Sequence, residues 1–121
     1  MKIASFNINN INRRLANLLH WLREAEPDIV CLQELKAADT EFPADAIRQA
    51  GYHAVWRGER RWNGVAILAR WTPVVTRLDL PGDAADGQCR YLEAAPSYAS
   101  SPRSAFASFR SAVLKPSVNQ P

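Results

Sequence analysis

The chain has 121 residues, of which 47% are apolar, and a formal net charge of +3 at pH 7. This length and composition predict one ordinary globular domain, and no apolar run approaches the roughly 20 residues needed to cross a bilayer. The N-terminus also lacks the basic region and apolar block of a secretion signal, so we expect a cytoplasmic protein without a membrane partner.

Charge and composition both change near residue 95. Residues 1–95 contain twelve basic and twelve acidic residues, whereas residues 96–121 contain three basic residues and no acidic one. Seven of the eight serines and four of the eight prolines also follow residue 95. We therefore predict a folded domain over 1–95 and a Ser/Pro/Arg-rich tail over 96–121. The tail is interpreted either as a disordered segment or as the product of a change in reading frame near Ala95.

The N-terminal part of the chain predicts a strand, a helix and a second strand. Apolar residues alternate from Ile3 to Ile8 and then recur every three or four positions from Leu15 to Ala25, which are the periods of a strand and of an amphipathic helix. Pro27 ends the helix. The continuously apolar run from Ile29 to Leu32 predicts a strand that is buried on both faces and can lie parallel to the first.

The rest of the domain predicts a short helix and then antiparallel strands. Phe42, Pro43 and Asp45 open the helix, and Gly51 ends it. Strand patterns follow over residues 52–57, 64–69, 74–80 and 89–94, separated by turn residues. The expected fold class is α/β, or α+β, with a mixed sheet that carries its helices on one face.

Polar side chains follow the first two predicted strands where each strand ends. Asn7 and Asn9 end the first strand, and Glu34 ends the second. Ligand sites of open α/β sheets usually lie at this end of the strands. A carboxylate and amides that converge there would suit Mg²⁺ or Mn²⁺, which accept oxygen ligands. The alternative is turn chemistry and a solvated carboxylate.

A basic loop with a tryptophan lies between two predicted strands. Arg60, Arg61 and Trp62 precede Asn63-Gly64, and such a loop can contact phosphates and wedge against bases. The alternative is an ordinary hairpin loop with a solvated charge cluster. Arg90 can bind a phosphate or pair with a nearby acidic residue.

Four segments together resemble the exodeoxyribonuclease III branch of the endonuclease/exonuclease/phosphatase superfamily. In chain order they begin at Met1, Pro27, Gly51 and Trp62: Met-Lys-Ile-Ala-Ser-Phe-Asn-Ile-Asn, Pro-Asp-Ile-Val-Cys-Leu-Gln-Glu-Leu-Lys, Gly-Tyr-His and Trp-Asn-Gly-Val-Ala-Ile-Leu. The resemblance covers residues 1 to about 95. It implies the N-terminal half of a four-layer αββα sandwich, followed by a tail outside the family.

The resemblance also implies roles for individual residues. Asn7, Asn9 and Glu34 match the metal site, and Trp62 and Arg90 match positions that contact double-stranded DNA in relatives. Arg60, Arg61 and Asn63 are predicted to bind DNA with them. The implied reaction is Mg²⁺-dependent hydrolysis of DNA phosphodiesters during repair, either from a 3′ end or beside an abasic site.

The family's remaining catalytic motifs do not occur in the sequence. They are Tyr-x-Pro-Asn-Gly, Asp-x-Asn with its general base, and a late Asp-His pair, so no catalytic residue is assigned. We therefore expect a truncated nuclease domain that is inactive alone. The alternatives are a non-catalytic DNA-binding fragment and, less favoured by the motifs, a superfamily phosphatase. A missing second sheet would also leave an apolar sheet face exposed and able to self-associate.

Overall fold

The computed structural model describes residues 1–77, 91–96 and 109–112. Arg90 and most of the predicted tail lie outside the described residues. The helices are α1 (Leu15–Ala25), α2 (Ala44–Gln49) and a 3₁₀ turn (Asp39–Glu41), and the strands are β1 (Ile3–Asn7), β2 (Ile29–Gln33), β3 (His53–Arg57), β4 (Val65–Ala69), β5 (Pro73–Arg77), β6 (Tyr91–Pro96) and β7 (Phe109–Ala112). In this part of the chain, no helix is long and apolar enough to cross a membrane.

The first four strands form a mixed sheet in the order β1-β2-β4-β3. β1 and β2 are parallel, with Asn7 opposite Gln33, while β4 is antiparallel to both β2 and β3. The strand, helix, strand unit and the mixed sheet are therefore confirmed. The α1 helix ends as predicted before Pro27, because Glu26 adopts a left-handed conformation and donates its backbone N–H to Leu22.

One face of this sheet packs against the helices. Val30 and Leu32 of β2 lie in the same buried cluster as Leu18 and Leu22 of α1 and Ile47 of α2. The opposite face is also buried, since Ile29 and Cys31 point there and are less than a tenth exposed. The prediction that β2 is buried on both faces is therefore confirmed, and burial raises the pKa of the Cys31 thiol.

The predicted absence of a second sheet is wrong. Strands β5, β6 and β7 form a separate antiparallel sheet, and Leu92 and Ala94 of β6 are buried against the face that carries Cys31 and Ile67. The apolar face that was expected to be exposed is therefore covered. The physical reason is that β5 pairs with β6 and not with the first sheet. The alternating residues Leu92 and Ala94 of β6 can then pack on the face of the first sheet. Self-association itself remains a prediction.

Candidate metal and phosphate site

The loops that follow β1 and β2 run side by side at one edge of the first sheet. The backbone N–H of Ile8 donates to the carbonyl of Gln33 over 2.9 Å, and that of Asn10 donates to the carbonyl of Glu34 over 3.0 Å. The parallel pairing therefore continues beyond the strands themselves. It brings Asn9 and Glu34 into one neighbourhood, as expected from the ends of two adjacent parallel strands.

A lysine ammonium connects these two side chains. Lys36 Nζ donates to Asn9 Oδ1 over 2.5 Å and lies 4.0 Å from Glu34 Oε2. Asn7 supports the same arrangement, because its Oδ1 accepts the backbone N–H of Asn9 over 2.9 Å. The structure thus brings the Asn9 and Glu34 side chains together, whereas Asn7 contacts this pair through its bond to the Asn9 N–H.

The backbone around this cluster is strained. Asn9, Asn10, Glu34, Lys36 and Arg61 all have positive φ, at 46°, 84°, 55°, 50° and 74°. Left-handed backbone is uncommon outside glycine and asparagine, and it concentrates where a site has to aim side chains. Three of these five residues, Glu34, Lys36 and Arg61, are neither glycine nor asparagine, which indicates that the tertiary structure imposes their side-chain directions.

The donor set fits a hard divalent cation. Asn9 and Glu34 already place an amide oxygen and a carboxylate oxygen near one positive charge, that of Lys36. Among the described residues no group of three His, Cys, Asp or Glu side chains could hold a metal. One carboxylate and one amide oxygen are a donor set that would suit Mg²⁺, which commonly binds through one or two carboxylates and completes its shell with water and substrate phosphates.

A basic pocket opens beside this cluster. It has a volume of about 360 Å³ and is lined by Asn9, Asn10, Arg13, Arg14, Lys36 and Arg61. Four of these six side chains are cationic and none is acidic, so the pocket has the electrostatic character of an anion site. The backbone turn before α1 shapes it, because Asn10 Oδ1 accepts the N–H of Arg13 over 3.2 Å.

The loop between β3 and β4 (residues 58–64) is tied to the 3₁₀ turn. Arg60 Nε donates to Glu41 Oε1 over 2.9 Å, and the N–H of Gly58 donates to Asp39 Oδ1 over 2.6 Å. The N–H of Ala38 and Arg60 both donate to Glu41 and lower the pKa of its carboxyl. Arg60, which was predicted to bind DNA, therefore holds the loop in place in this structure.

The other residues that were predicted to contact DNA differ in how exposed their side chains are. Arg61 lines the basic pocket and Trp62 is 62% exposed, so both side chains face the outside of the loop. Asn63 is only 6% exposed and donates to Glu59 Oε2 over 3.2 Å. Direct contact between the Asn63 side chain and DNA would require the loop to rearrange. The predicted role of Arg90 lies outside the described residues.

Several pocket residues were missed by reasoning from the sequence. Asn10, Arg13 and Arg14 follow the first metal-ligand candidates directly, and Lys36 follows Glu34 by two residues. Their closeness to those candidates in sequence was the available signal. It was insufficient, because a short run of arginines before a helix is more often a solvated surface.

Comparison with known proteins shows what the chain is similar to. It is 38% identical over 94 residues to exodeoxyribonuclease III of Haemophilus influenzae, covering 78% of this chain and 35% of the relative. It is 33% identical over 99 residues to the DNA repair nuclease APEX1 of Danio rerio, covering 78% and 32%. The solved structure of the 3′ phosphatase NExo from Neisseria, bound to a product DNA hairpin, matches with a TM-score of 0.74 and 41% identity, covering 80% of this chain and 38% of that one.

The chain thus spans about a third of the length of these relatives. The family model for endonucleases, exonucleases and phosphatases matches residues 4–111. This match runs past the boundary predicted at residue 95, and that boundary therefore stays a prediction. Since the matched residues make up most of the chain, the chain belongs to the endonuclease/exonuclease/phosphatase family.

Proposed function

We propose that these 121 residues form the metal-binding and phosphate-binding part of a DNA-repair nuclease of the exodeoxyribonuclease III type, and that they do not cleave DNA alone. The observation that carries the proposal is the basic pocket directly beside Asn9 and Glu34. A metal-dependent hydrolase that acts on phosphodiesters needs a cation and a phosphate held next to each other, and this edge of the sheet would supply ligands for both.

The proposed cation site uses oxygen donors of this chain. Glu34 and Asn9 would hold Mg²⁺ or Mn²⁺, and Asn7 would fix the position of Asn9 through its bond to the Asn9 N–H. When bound, the cation supplies charge neutralisation on the scissile phosphate. The chain's own contribution is to keep these oxygens converged through strained, hydrogen-bonded loops, which lowers the cost of ordering them on binding.

The proposed DNA contacts lie on the same side of the molecule. Arg13, Arg14 and Arg61 would contact backbone phosphates in the basic pocket, and such contacts position a duplex without reading its sequence. Trp62, which lies on the same β3–β4 loop as Arg61 and is 62% exposed, would press against the bases or the groove wall. This arrangement suits an enzyme that recognises a DNA end or a damaged position rather than a base sequence.

The proposed lack of independent activity rests on the missing proton-transfer group. The 121 residues contain no Asp-x-Asn motif, which supplies the general base in the family that the sequence resembles. Loss of such a group typically lowers the rate by about 10²- to 10⁴-fold. Within this chain alone, the pocket would therefore bind DNA without cleaving it.

The binding part is tested with the 121-residue chain and a fluorescent duplex. If three arginines contact phosphates, the logarithm of affinity should fall with the logarithm of salt concentration at a slope of about −2.7, and Arg61→Gln should reduce the slope by about 0.9. Arg48→Gln is the matched control, since Arg48 lies on α2 and pairs with Asp45 over 3.2 Å. Equal effects of both substitutions, or no salt dependence, would refute the proposed contacts.

The catalytic part is tested with Mg²⁺ and three duplexes: one with a recessed 3′ end, one with an abasic-site analogue and one with a 3′ phosphate. The third is included because the Neisseria relative is described as a 3′ phosphatase. We expect no turnover above that of Glu34→Gln. Turnover that disappears in Glu34→Gln would show that the chain is catalytically complete, and the substrate that reacts would identify the reaction.

A further inference from the structure

We infer that Lys36 is a built-in competitor for the divalent cation, and that its ammonium leaves the cluster when the metal binds. The inference rests on the proposed function, because it concerns the same metal site. Its starting point is that Lys36 Nζ contacts Asn9 Oδ1 at 2.5 Å and approaches Glu34 Oε2 to 4.0 Å. These are the two oxygens that a hard cation would need.

The fold fixes the backbone from which the Lys36 side chain starts. The backbone N–H of Lys36 donates to the carbonyl of Asn63 over 2.9 Å, and the neighbouring Leu35 N–H donates to Gly64 over 3.1 Å. Lys36 also has a left-handed backbone with φ of 50°. The start of its side chain is therefore held by the β3–β4 loop, whereas the four-carbon stem beyond it can rotate.

Charge and burial make the two occupants mutually exclusive. The Lys36 and Glu34 side chains are 27% and 20% exposed, so their interaction is less screened than that of a fully exposed pair. An ammonium and a divalent cation that share the same oxygens would repel each other strongly at this distance. Binding of the metal therefore displaces the ammonium instead of adding to it.

The displaced ammonium can turn toward the basic pocket once a phosphate is bound there. Lys36 already lines the basic pocket together with Arg13, Arg14 and Arg61. Rotation of its stem away from Glu34 would move one more positive charge toward the proposed phosphate. When the metal is absent, Lys36 would thus occupy the Asn9 and Glu34 oxygens and keep other partners away from them. When the metal is present, it would assist phosphate binding.

The first test measures Mn²⁺ binding to the DNA-free 121-residue chain by the loss of the free-ion electron paramagnetic resonance signal. Lys36→Gln should bind Mn²⁺ about tenfold more tightly, since one competing charge is removed. Lys36→Arg retains the charge and should stay near the wild-type affinity. Lys2→Gln is the matched control, because it removes the same charge at a residue bonded to the distant carbonyl of Ala25.

A purely structural role for Lys36 predicts the opposite sign. If the lysine only holds Asn9 and Glu34 in place, Lys36→Gln would bind Mn²⁺ more weakly than the wild-type chain. Weaker or unchanged binding would overturn the inference, and so would equal tightening in Lys2→Gln. Failure of the proposed function is recognised separately, because the wild-type chain would then show neither Glu34-dependent Mn²⁺ binding nor salt-dependent DNA binding.

The second test follows the lysine itself by acylation and mass spectrometry. The chain contains only three lysines, Lys2, Lys36 and Lys115, so each can be monitored individually. Labelling of Lys36 should rise on addition of Mg²⁺ relative to NaCl of equal ionic strength, while labelling of Lys2 stays constant. Unchanged or reduced labelling of Lys36 at saturating Mg²⁺ would overturn the inference.

Discussion

Replacement of Gly58 by alanine should disturb the pocket from a distance. A Cβ added at Gly58 would lie 2.4 Å from the carbonyl oxygen of Ala37, 2.7 Å from the nitrogen of Asp39 and 2.8 Å from the carbonyl carbon of Ala38. All three neighbours are backbone atoms, so no side chain can rotate to make room. Ordinary contact begins at 3.4 Å, and the loop must therefore move by about 1 Å relative to the 3₁₀ turn, at a cost of about 1–3 kcal/mol.

This movement should affect DNA binding because the same loop carries Arg61. The substitution also disturbs the Gly58 N–H bond to Asp39 and the position of Arg60 against Glu41. We expect the salt slope of DNA binding to become shallower by about 0.9, as for the loss of one phosphate contact. Urea denaturation should show a lower midpoint with an unchanged m-value.

Gly51→Ala is the matched control for Gly58→Ala. Gly51 has φ of +95° and no atom within 4 Å of an added Cβ, so alanine there costs about 1–2 kcal/mol through backbone conformation alone. Both variants should lose comparable stability, but only Gly58→Ala should alter DNA binding. If the two variants change DNA affinity equally, or if Gly58→Ala is as stable as the wild-type chain, the reasoning about the loop is refuted.

Three further predictions concern the core and its surroundings. Leu32→Ala should lower the free energy of unfolding by about 2–5 kcal/mol, because Leu32 is fully buried; a loss below about 1 kcal/mol in urea denaturation would contradict this. The Cys31 thiol, measured with Ellman's reagent in a Cys89→Ser background, should react only on unfolding, since its side chain is buried in β2 and that burial also raises its pKa; prompt reaction of the folded chain would show that the strand is accessible. The lowered pKa of Glu41 means that its carboxylate stabilises the fold above its usual pKa and that this stabilisation is lost as the pH falls through the lowered value. Glu41→Gln should therefore weaken the acid dependence of stability below about pH 4.5, and an unchanged pH profile would show that the hydrogen bonds from the Ala38 N–H and from Arg60 do not stabilise this carboxylate.

The first sheet shows how far local patterns reach in this chain. Alternation in β1 and helical periodicity in α1 each match a single geometric period, whereas the unbroken apolar run of β2 is assigned to a strand by its short length and its β-branched residues. Strands β3 to β6 were recognisable from short apolar patterns between turn residues, whereas β7 (Phe109–Ala112) lies in the tail that was predicted to be disordered or frame-shifted. The assignment of β5, β6 and β7 to a second sheet could not be predicted. Which strands pair depends on the path of the chain in space, and this pairing produces no local period in the sequence.

The candidate site divides in a similar way. Asn9 and Glu34 could be selected from the sequence because strand ends of a parallel pair meet at one edge, a rule that needs no coordinates. The position of Lys36 between them could not be predicted, because it depends on left-handed backbone at Asn9, Glu34 and Lys36. It also depends on hydrogen bonds that Leu35 and Lys36 donate to carbonyls of the β3–β4 loop. Tertiary contacts also give the residues of the β3–β4 loop different roles. They pair Arg60 with Glu41 and bury Asn63. Arg61 and Trp62 face outward.

The sequence by itself determined the family, the order of the first elements and the polar strand ends, because these follow from periodicity and from the motifs along the chain. Only the tertiary structure decided which cations surround those strand ends and that a second sheet covers the first. Both outcomes depend on contacts between residues far apart in sequence, which no local pattern encodes.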